Sequence, residues 1–439
     1  MDSLLPYFTV APLAFGLTVR SNKIRYIAIL MGALIAFQSS DSIAAPKLAY
    51  LGLLVLTFII AFRHRHGPLL RATTGAALLL GALSVLAYAK GNDPIWIFRD
   101  ITSYVMLLSA GILAQHFGAI LPEMFARRVA IGVSVFAAYI MTARWVTLRG
   151  FGHLPTFGNP SFALFTLAVS LSAASALEGR HSFRWWTMVG VLWTGAVLTG
   201  TRSMLLTLLP AIAIAARAFL RRRGTRTNAS RALVTGLAAV PLALVSVLSL
   251  ASWRGINLTA AVGRVSTVFS LGENNASDSL NERKIQNRLA LSAFNRDPFT
   301  GSGPGTIWQV TRPSSRTTYT SISIDTALAV LAKWGMFGTF SLLLLLHSWW
   351  RLCRPTKVES FWGVTSLGFA MGFAPANLLG AATEEKGLPV ALIILGTGTL
   401  AYRRQEIHRK KMSDSEIRAK DDEHPGLEGA RGHLANEQT

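Results

Sequence analysis

The sequence predicts an all-α, polytopic integral membrane protein, a bundle of about 12 to 13 transmembrane helices with one long loop. Three observations lead there. Of the 439 residues 51% are hydrophobic and only 15% charged, against roughly 25% charged in a soluble domain. Apolar stretches of roughly 15 to 22 residues, each able to cross much or all of a hydrocarbon core about 30 Å thick, recur along the whole chain. Finally, Lys+Arg 43 outnumber Asp+Glu 22, and the cations sit in short clusters at the ends of the apolar stretches. The formal excess of +21 therefore reads as a set of topology signals and not as a nucleic-acid surface.

Taken in order, spans are expected at 4–19, 24–39, 48–62, 72–89, 101–121, 129–147, 161–177, 185–199, 203–220, 232–251, 324–346, 361–380 and 388–402. The first is short and contains Pro6 and Pro12. Arg20/Lys23/Arg25, Arg63/Arg65/Arg71, Arg127/Arg128, Arg180/Arg184, Arg221/Arg222/Arg223, Arg351/Arg354/Lys357 and Arg403/Arg404 fall in alternate connections, which the positive-inside rule makes cytoplasmic. The connections between them carry scattered cations such as Lys47, Arg149, Arg202 and Lys386. The single long insertion, 252–323, is then extracytoplasmic. Residues 1–402 form the transmembrane domain, and the mixed-charge tail 403–439 is expected to be disordered and cytoplasmic. The pairs Trp185/Trp186 and Trp349/Trp350 stand at span ends, as aromatic belt residues do.

Cys353 is the only cysteine, which leaves no disulfide, zinc-finger set or redox pair. His64 and His66 flank Arg65 without a carboxylate cluster, so they are not expected to bind metal. The chain has no Asp-x-Asp motif, which argues against a nucleotide-sugar donor held through a divalent ion.

The long insertion is basic on the side where topology asks for no cations. It carries Arg254, Arg264, Arg283, Lys284, Arg288, Arg296, Arg312 and Arg316 against Glu273, Asp278, Glu282 and Asp297. Arginine forks suit phosphate oxygens, so a phosphorylated, membrane-borne substrate fits; a solvated loop without a specific role accounts for the same composition. Residues 281–296 can form an amphipathic helix with Ile285, Leu289 and Ala293, or Leu291 and Phe294, on its buried side. Asp297-Pro298 ends that helix, and Gly301-Ser302-Gly303-Pro304-Gly305 makes a tight turn. Such a turn either offers amides to an anion or is simply a sharp connection; without a Walker lysine it does not indicate a nucleotide. Gly200-Thr201-Arg202-Ser203 breaks an apolar stretch too long for one span. This places Arg202 at the outer boundary, as a functional cation or a snorkelling one.

These residues together resemble the O-antigen ligases and the O-antigen or exopolysaccharide polymerases, multi-span bacterial glycosyltransferases. Three patterns carry the likeness: Thr156-Phe157-Gly158-Asn159-Pro160 opening a span, Gly200-Thr201-Arg202-Ser203 between two spans, and Arg283 followed by Pro298 and Gly301-x-Gly303-Pro304-Gly305. A fourth, Asp325-Thr326 leading to Gly335-x-x-Gly338, is similar with a one-residue spacing difference. The set spans roughly residues 150 to 340. The resemblance implies an enzyme of the bacterial inner membrane whose active site faces the periplasm. Its donor would be a glycan on polyprenyl pyrophosphate, its acceptor a second glycan or the lipid A core, its surroundings membrane lipids, and no cofactor is implied. Arg202 and Arg283 would hold the pyrophosphate.

One departure matters: where ligases of this family place a His-Asn pair and a Glu, this chain has Ile324, Asp325, Thr326 and Lys333. The missing histidine tilts the expectation toward a polymerase, with a ligase as the alternative. A polyprenyl pyrophosphate donor already contains its leaving group, so metal-independent transfer needs cations for the departing pyrophosphate and a group to orient or deprotonate the attacking hydroxyl. Arg202, Arg283 and Arg288 are candidates for the first task. Asp325 is the candidate for the second, and equally reads as an N-cap of the following helix. The rival from another class is a transporter or flippase of lipid-linked glycans. It should carry ionisable residues near mid-membrane, whereas Arg144, Arg217 and Lys333 lie toward span ends.

Overall fold

The computed structural model describes residues 20–36, 45–62, 68–154, 160–178, 181–199, 204, 206–207, 209–220, 227–260, 263, 274–311, 318–321, 324, 326, 328–353, 360–379 and 387–423. They form an all-α, polytopic membrane bundle. Its helices are α1 (Asn22–Ala36), α2 (Ala45–Phe62), α3 (Pro68–Ala89), α4 (Pro94–Ile120), α5 (Glu123–Leu148), α6 (Phe162–Leu177), α7 (Ser182–Leu198), α8 (Leu209–Leu220), α9 (Thr227–Trp253), α10 (Asn274–Arg296), α11 (Leu328–Cys353), α12 (Phe361–Leu379) and α13 (Gly387–Glu423). A two-stranded antiparallel hairpin, β1 (Trp308–Thr311) and β2 (Thr318–Ser321), lies between α10 and α11. A helix among the described residues corresponds to each span expected from residue 24 onward, with shifted ends at several of them; the expected span at 4–19 lies outside the described residues. Five segments are long and apolar enough to cross a membrane unaided: Leu70–Ala89, Pro94–Ile120, Glu123–Leu148, Val234–Trp253 and Leu328–Arg351.

α4, α6 and α13 occupy the centre. On α6 every residue from Ala163 to Ala176 is buried, which is why that stretch is apolar all round and not amphipathic. α4 and α13 approach closely at Gly118, where a Cβ would lie 2.6 Å from Cβ of Leu400. Several buried hydroxyls bond to carbonyls of their own helices, as in Thr57 to Leu53 O, Thr166 to Phe162 O, Ser170 to Thr166 O and Thr194 to Gly190 O, an arrangement suited to an apolar surrounding. Trp186 packs against Gly236 of α9, and Trp186 and Trp349 are buried. The belt expectation is thus corrected for one ring of each pair: these rings fill helix interfaces.

The two ends of the bundle differ. One holds three of the basic side chains noted in the sequence. Lys23 lies over the Phe125 ring at 5.5 Å, Arg127 pairs with Glu178 at 2.6 Å and stacks on Phe361 at 3.7 Å, and Arg404 donates to the carbonyls of Ala119 and Leu121. Trp362 Nε1 donates to Glu123 Oε1 at 3.0 Å beside them. The other end holds the 149–154 and 254–260 connections, joined by Asn257 N to Phe151 O at 2.6 Å, and the assembly built on α10. Among the described residues, Lys23, Arg127 and Arg404 thus meet at one end.

One expectation is corrected. The tail does not lose order at Arg403: α13 continues to Glu423, and only 424–439 lie outside the described residues. No Gly or Pro interrupts 403–423, and acids stand four residues ahead of bases at 406/410, 414/418 and 416/420, an order that supports a solvated helix. The insertion carries the expected helix, which begins earlier, at Asn274, and adds a hairpin that the sequence did not suggest.

Candidate functional site

α10 is the element on which the basic insertion is organised. Ala290 is fully buried with Trp308 and Val310 of β1 and with Ile324, Ala329 and Ala332, while Leu289 and Ala293 flank them. This small core joins α10, the hairpin and the first two turns of α11 into one unit. The stripe Ile285, Leu289 and Ala293 is the half-buried side, and Leu291 is exposed. Polar contacts extend the packing toward the helix N-terminus: Tyr319 Oη donates to Glu282 Oε1 at 2.6 Å, and Thr326 Oγ1 donates to Asn287 Oδ1.

These contacts separate the arginines. Arg283 is half-buried and stands one turn before Asn287, hence about 6 Å from it along the same face. Asn287 accepts from Thr326 Oγ1, so Arg283 stands one helical turn from a residue that is bonded to Thr326. Arg288 is exposed and lies about 140° around the helix from Arg283. Asp325 and Arg202 lie outside the described residues. The amide of Leu328 donates to Thr326 Oγ1 at 3.3 Å. The helix itself starts at Leu328 and not at residue 324.

The expected continuous span 324–346 is broken. Gly335 has φ 60° and ψ −167°, a conformation open essentially to glycine alone. A break inside a transmembrane helix frees two carbonyls and two amides, which must find partners. The turn after α10 supplies all four. Met336 N donates to Pro298 O at 2.9 Å and Phe337 N to Phe299 O at 3.2 Å, while Ser302 N donates to Ala332 O at 2.8 Å and Gly303 N to Lys333 O at 2.9 Å. Gly301 and Gly335 face each other so closely that a Cβ on either would lie 2.6 Å from the other's backbone nitrogen. The glycine-rich turn and Gly335, two of the patterns noted in the sequence, are thus halves of one interlock.

The rest of the turn is held by α3 and α4. Lys90 Nζ donates to Asp297 Oδ2 at 3.1 Å, Thr300 Oγ1 at 3.3 Å and Gly301 O at 2.8 Å. Asn92 Nδ2 donates to Ser302 O at 3.1 Å and Pro304 O at 2.9 Å. Asp100, in the second turn of α4, accepts Gly305 N at 3.0 Å on Oδ2 and Lys333 Nζ at 2.8 Å on Oδ1. Lys333 is fully buried and the Asp100 side chain is 5% exposed. This settles the two readings of the turn: the amides of Gly301, Ser302, Gly303 and Gly305 are all spent on protein acceptors, so it is a structural connection and not an anion cradle.

Sequence reasoning noticed Lys333 but missed Asp100, Lys90 and Asn92. Asp100 fell one residue outside the span drawn at 101–121, because α4 begins earlier, at Pro94, with Asp93 Oδ1 accepting Ile95 N at 2.7 Å. The Asn92-Asp93-Pro94 start signal was the available clue. Among the described residues, no three His, Cys, Asp or Glu side chains are grouped as metal ligands. The chain matches no protein-family model and no curated protein.

Proposed function

We propose that the chain is a glycosyltransferase of the bacterial inner membrane that polymerises polyprenyl-pyrophosphate-linked oligosaccharide repeat units of a surface polysaccharide at the periplasmic face. The observation that carries this reading is the convergence of separate sequence patterns on one end of the bundle. Arg283, the glycine-rich turn and Gly335 belong to one interlocked unit, and Asn287 joins Arg283 to the residue after Asp325. That end is opposite the basic connections, and so periplasmic by the positive-inside rule.

In this mechanism Arg283, together with Arg202 from the α7–α8 connection, binds the donor pyrophosphate through charge-assisted, forked hydrogen bonds. The acceptor hydroxyl oxygen attacks the anomeric carbon, a new C–O bond forms, and the bond to pyrophosphate breaks with its electron pair leaving on the phosphate oxygen. The arginines stabilise that developing charge, and Asp325 takes the hydroxyl proton. Arg288 faces away from Arg283 and serves, if anything, to attract the anionic donor at longer range. Asp325 in place of a histidine favours polymerisation over ligation to the lipid A core. The test is the surface polysaccharide of a deletion strain resolved on a gel. Single repeat units capping the lipid core indicate a lost polymerase, lipid-linked polymer with bare core indicates a lost ligase, and an unchanged ladder refutes both.

A further inference from the structure

We infer that Asp100 and Lys333 are positioning residues: their shared carboxylate locks the unit of α10, the hairpin and the start of α11 onto the transmembrane bundle, and so fixes Arg283 against the residues the bundle contributes. The effect on activity rests on the glycosyl-transfer reading, whereas the lock itself does not.

The geometry assigns this role. The α10 unit has its own small core, and Gly335 breaks α11 beside it, with the turn after α10 bonded to both sides of the break. Lys333 belongs to the near side of that break and Asp100 to the bundle. The carboxylate divides its oxygens between them, Oδ1 to the ammonium and Oδ2 to Gly305 N, so one side chain ties α4, α11 and the turn. Lys90 and Asn92 reach the same turn, but Lys90 is 29% exposed and its bonds exchange with water. The Asp100–Lys333 pair is closed to solvent.

A buried ion pair is a poor device for stability alone, because its desolvation offsets its attraction and an apolar pair of similar volume does as well. An apolar pair cannot accept the amide of Gly305 or hold an acceptor in one orientation. Leverage makes that orientation matter. Arg283 lies about 20 Å along α10 from the turn, so a tilt of about 10° there displaces it by 3 to 4 Å, more than the tolerance of a hydrogen bond.

The decisive variant is Asp100→Leu with Lys333→Met, in a Cys353→Ser background carrying Ser302→Cys as the only thiol. The reporter side chain replaces the Ser302 hydroxyl that contacts Ala332 O at 3.0 Å. If the pair positions the unit, the apolar variant melts near the parent temperature but its thiol reacts with a membrane-impermeant maleimide at least tenfold faster. Parent-rate labelling at an unchanged melting temperature overturns the inference, since the pair would then merely fill space. Should the double variant not fold, Asp100→Asn, which keeps shape and the Gly305 acceptor but releases the charge that orients it, is expected to label several-fold faster, and parent-rate labelling again refutes the lock. Where the purified parent transfers sugar from a polyprenyl-linked donor, kcat of the apolar variant should fall about 100-fold, the scale of small misplacements, with KM moved far less. Faster labelling with parent kcat refutes positioning. A parent without transfer activity refutes the proposed function instead and leaves the labelling to judge the lock.

Discussion

Gly335→Ala is the sharpest physical perturbation of this site. The alanine Cβ would press against the carbonyl oxygen of Phe299 and stand 2.6 Å from the nitrogen of Gly301. Both are backbone atoms, so no rotamer change relieves the contact. Retaining φ 60° and ψ −167° with a Cβ costs about 1–3 kcal/mol before any clash is counted. The alternative is for the helix to straighten and expel the turn, which severs four backbone hydrogen bonds worth about 0.5–1.5 kcal/mol each. Either route costs roughly 3 kcal/mol or more once strain and contact are combined. The control is Gly132→Ala in α5, where an added Cβ meets nothing within 4 Å and helix propensity should contribute about 0.5–1 kcal/mol of stabilisation. Melting of both purified variants in the same detergent, followed by tryptophan fluorescence, checks the sign and the gap. If Gly335→Ala melts with Gly132→Ala, the interlock between turn and helix is refuted.

The remaining predictions address the site and its sidedness. An alkaline phosphatase fusion near Asn275 should be active and one after Arg409 inactive; the reverse pattern discards the periplasmic assignment. Arg283→Ala should abolish glycan transfer with membrane insertion intact, and Arg283→Lys should restore only part of it because the ammonium keeps charge but not the fork; Arg288→Ala should retain most activity, so equal losses at both positions would refute the separation of their faces. Arg202→Ala should match Arg283→Ala in a complementation assay read as polysaccharide ladder. Asp325→Asn should insert normally yet lose turnover, since an amide cannot accept the proton, and near-parent turnover would remove Asp325 from the mechanism.

The membrane architecture was legible because it rests on period and length: an apolar run of bilayer span forms a helix whatever it packs against. Charge alternation was equally legible, and Lys23, Arg127 and Arg404 do share an end. Arg283 stood out from the other cations of the insertion only through the family resemblance, in which it precedes Pro298 and the glycine-rich turn. What stayed hidden depends on pairing over long separations. Asp100 and Lys333 are 233 residues apart, and neither is remarkable in its own neighbourhood, one beside a helix start and the other in an apolar run. The hairpin was missed for another reason. Its strands have four residues each, too few for alternation to register against a basic, polar background.

The break in α11 explains why a network of polar side chains sits at the edge of apolar helices. An unbroken helix needs no partner for its backbone, whereas a helix interrupted in hydrocarbon must borrow one. Pro298, Phe299, Ser302 and Gly303 lend theirs, and the rings of Phe299 and Phe337 meet tilted, with centroids 5.6 Å apart and both about half exposed, an arrangement suited to the lipid side of the boundary. A turn drawn that deep must have its own carbonyls and amides met by side chains from the bundle, and Lys90, Asn92 and Asp100 meet them. The polar residues at this end therefore follow one another by necessity: the glycine break calls in the turn, the turn calls in Asp100, and the buried carboxylate calls in Lys333. A chain arranged to cross the membrane and nothing more would have kept α11 whole.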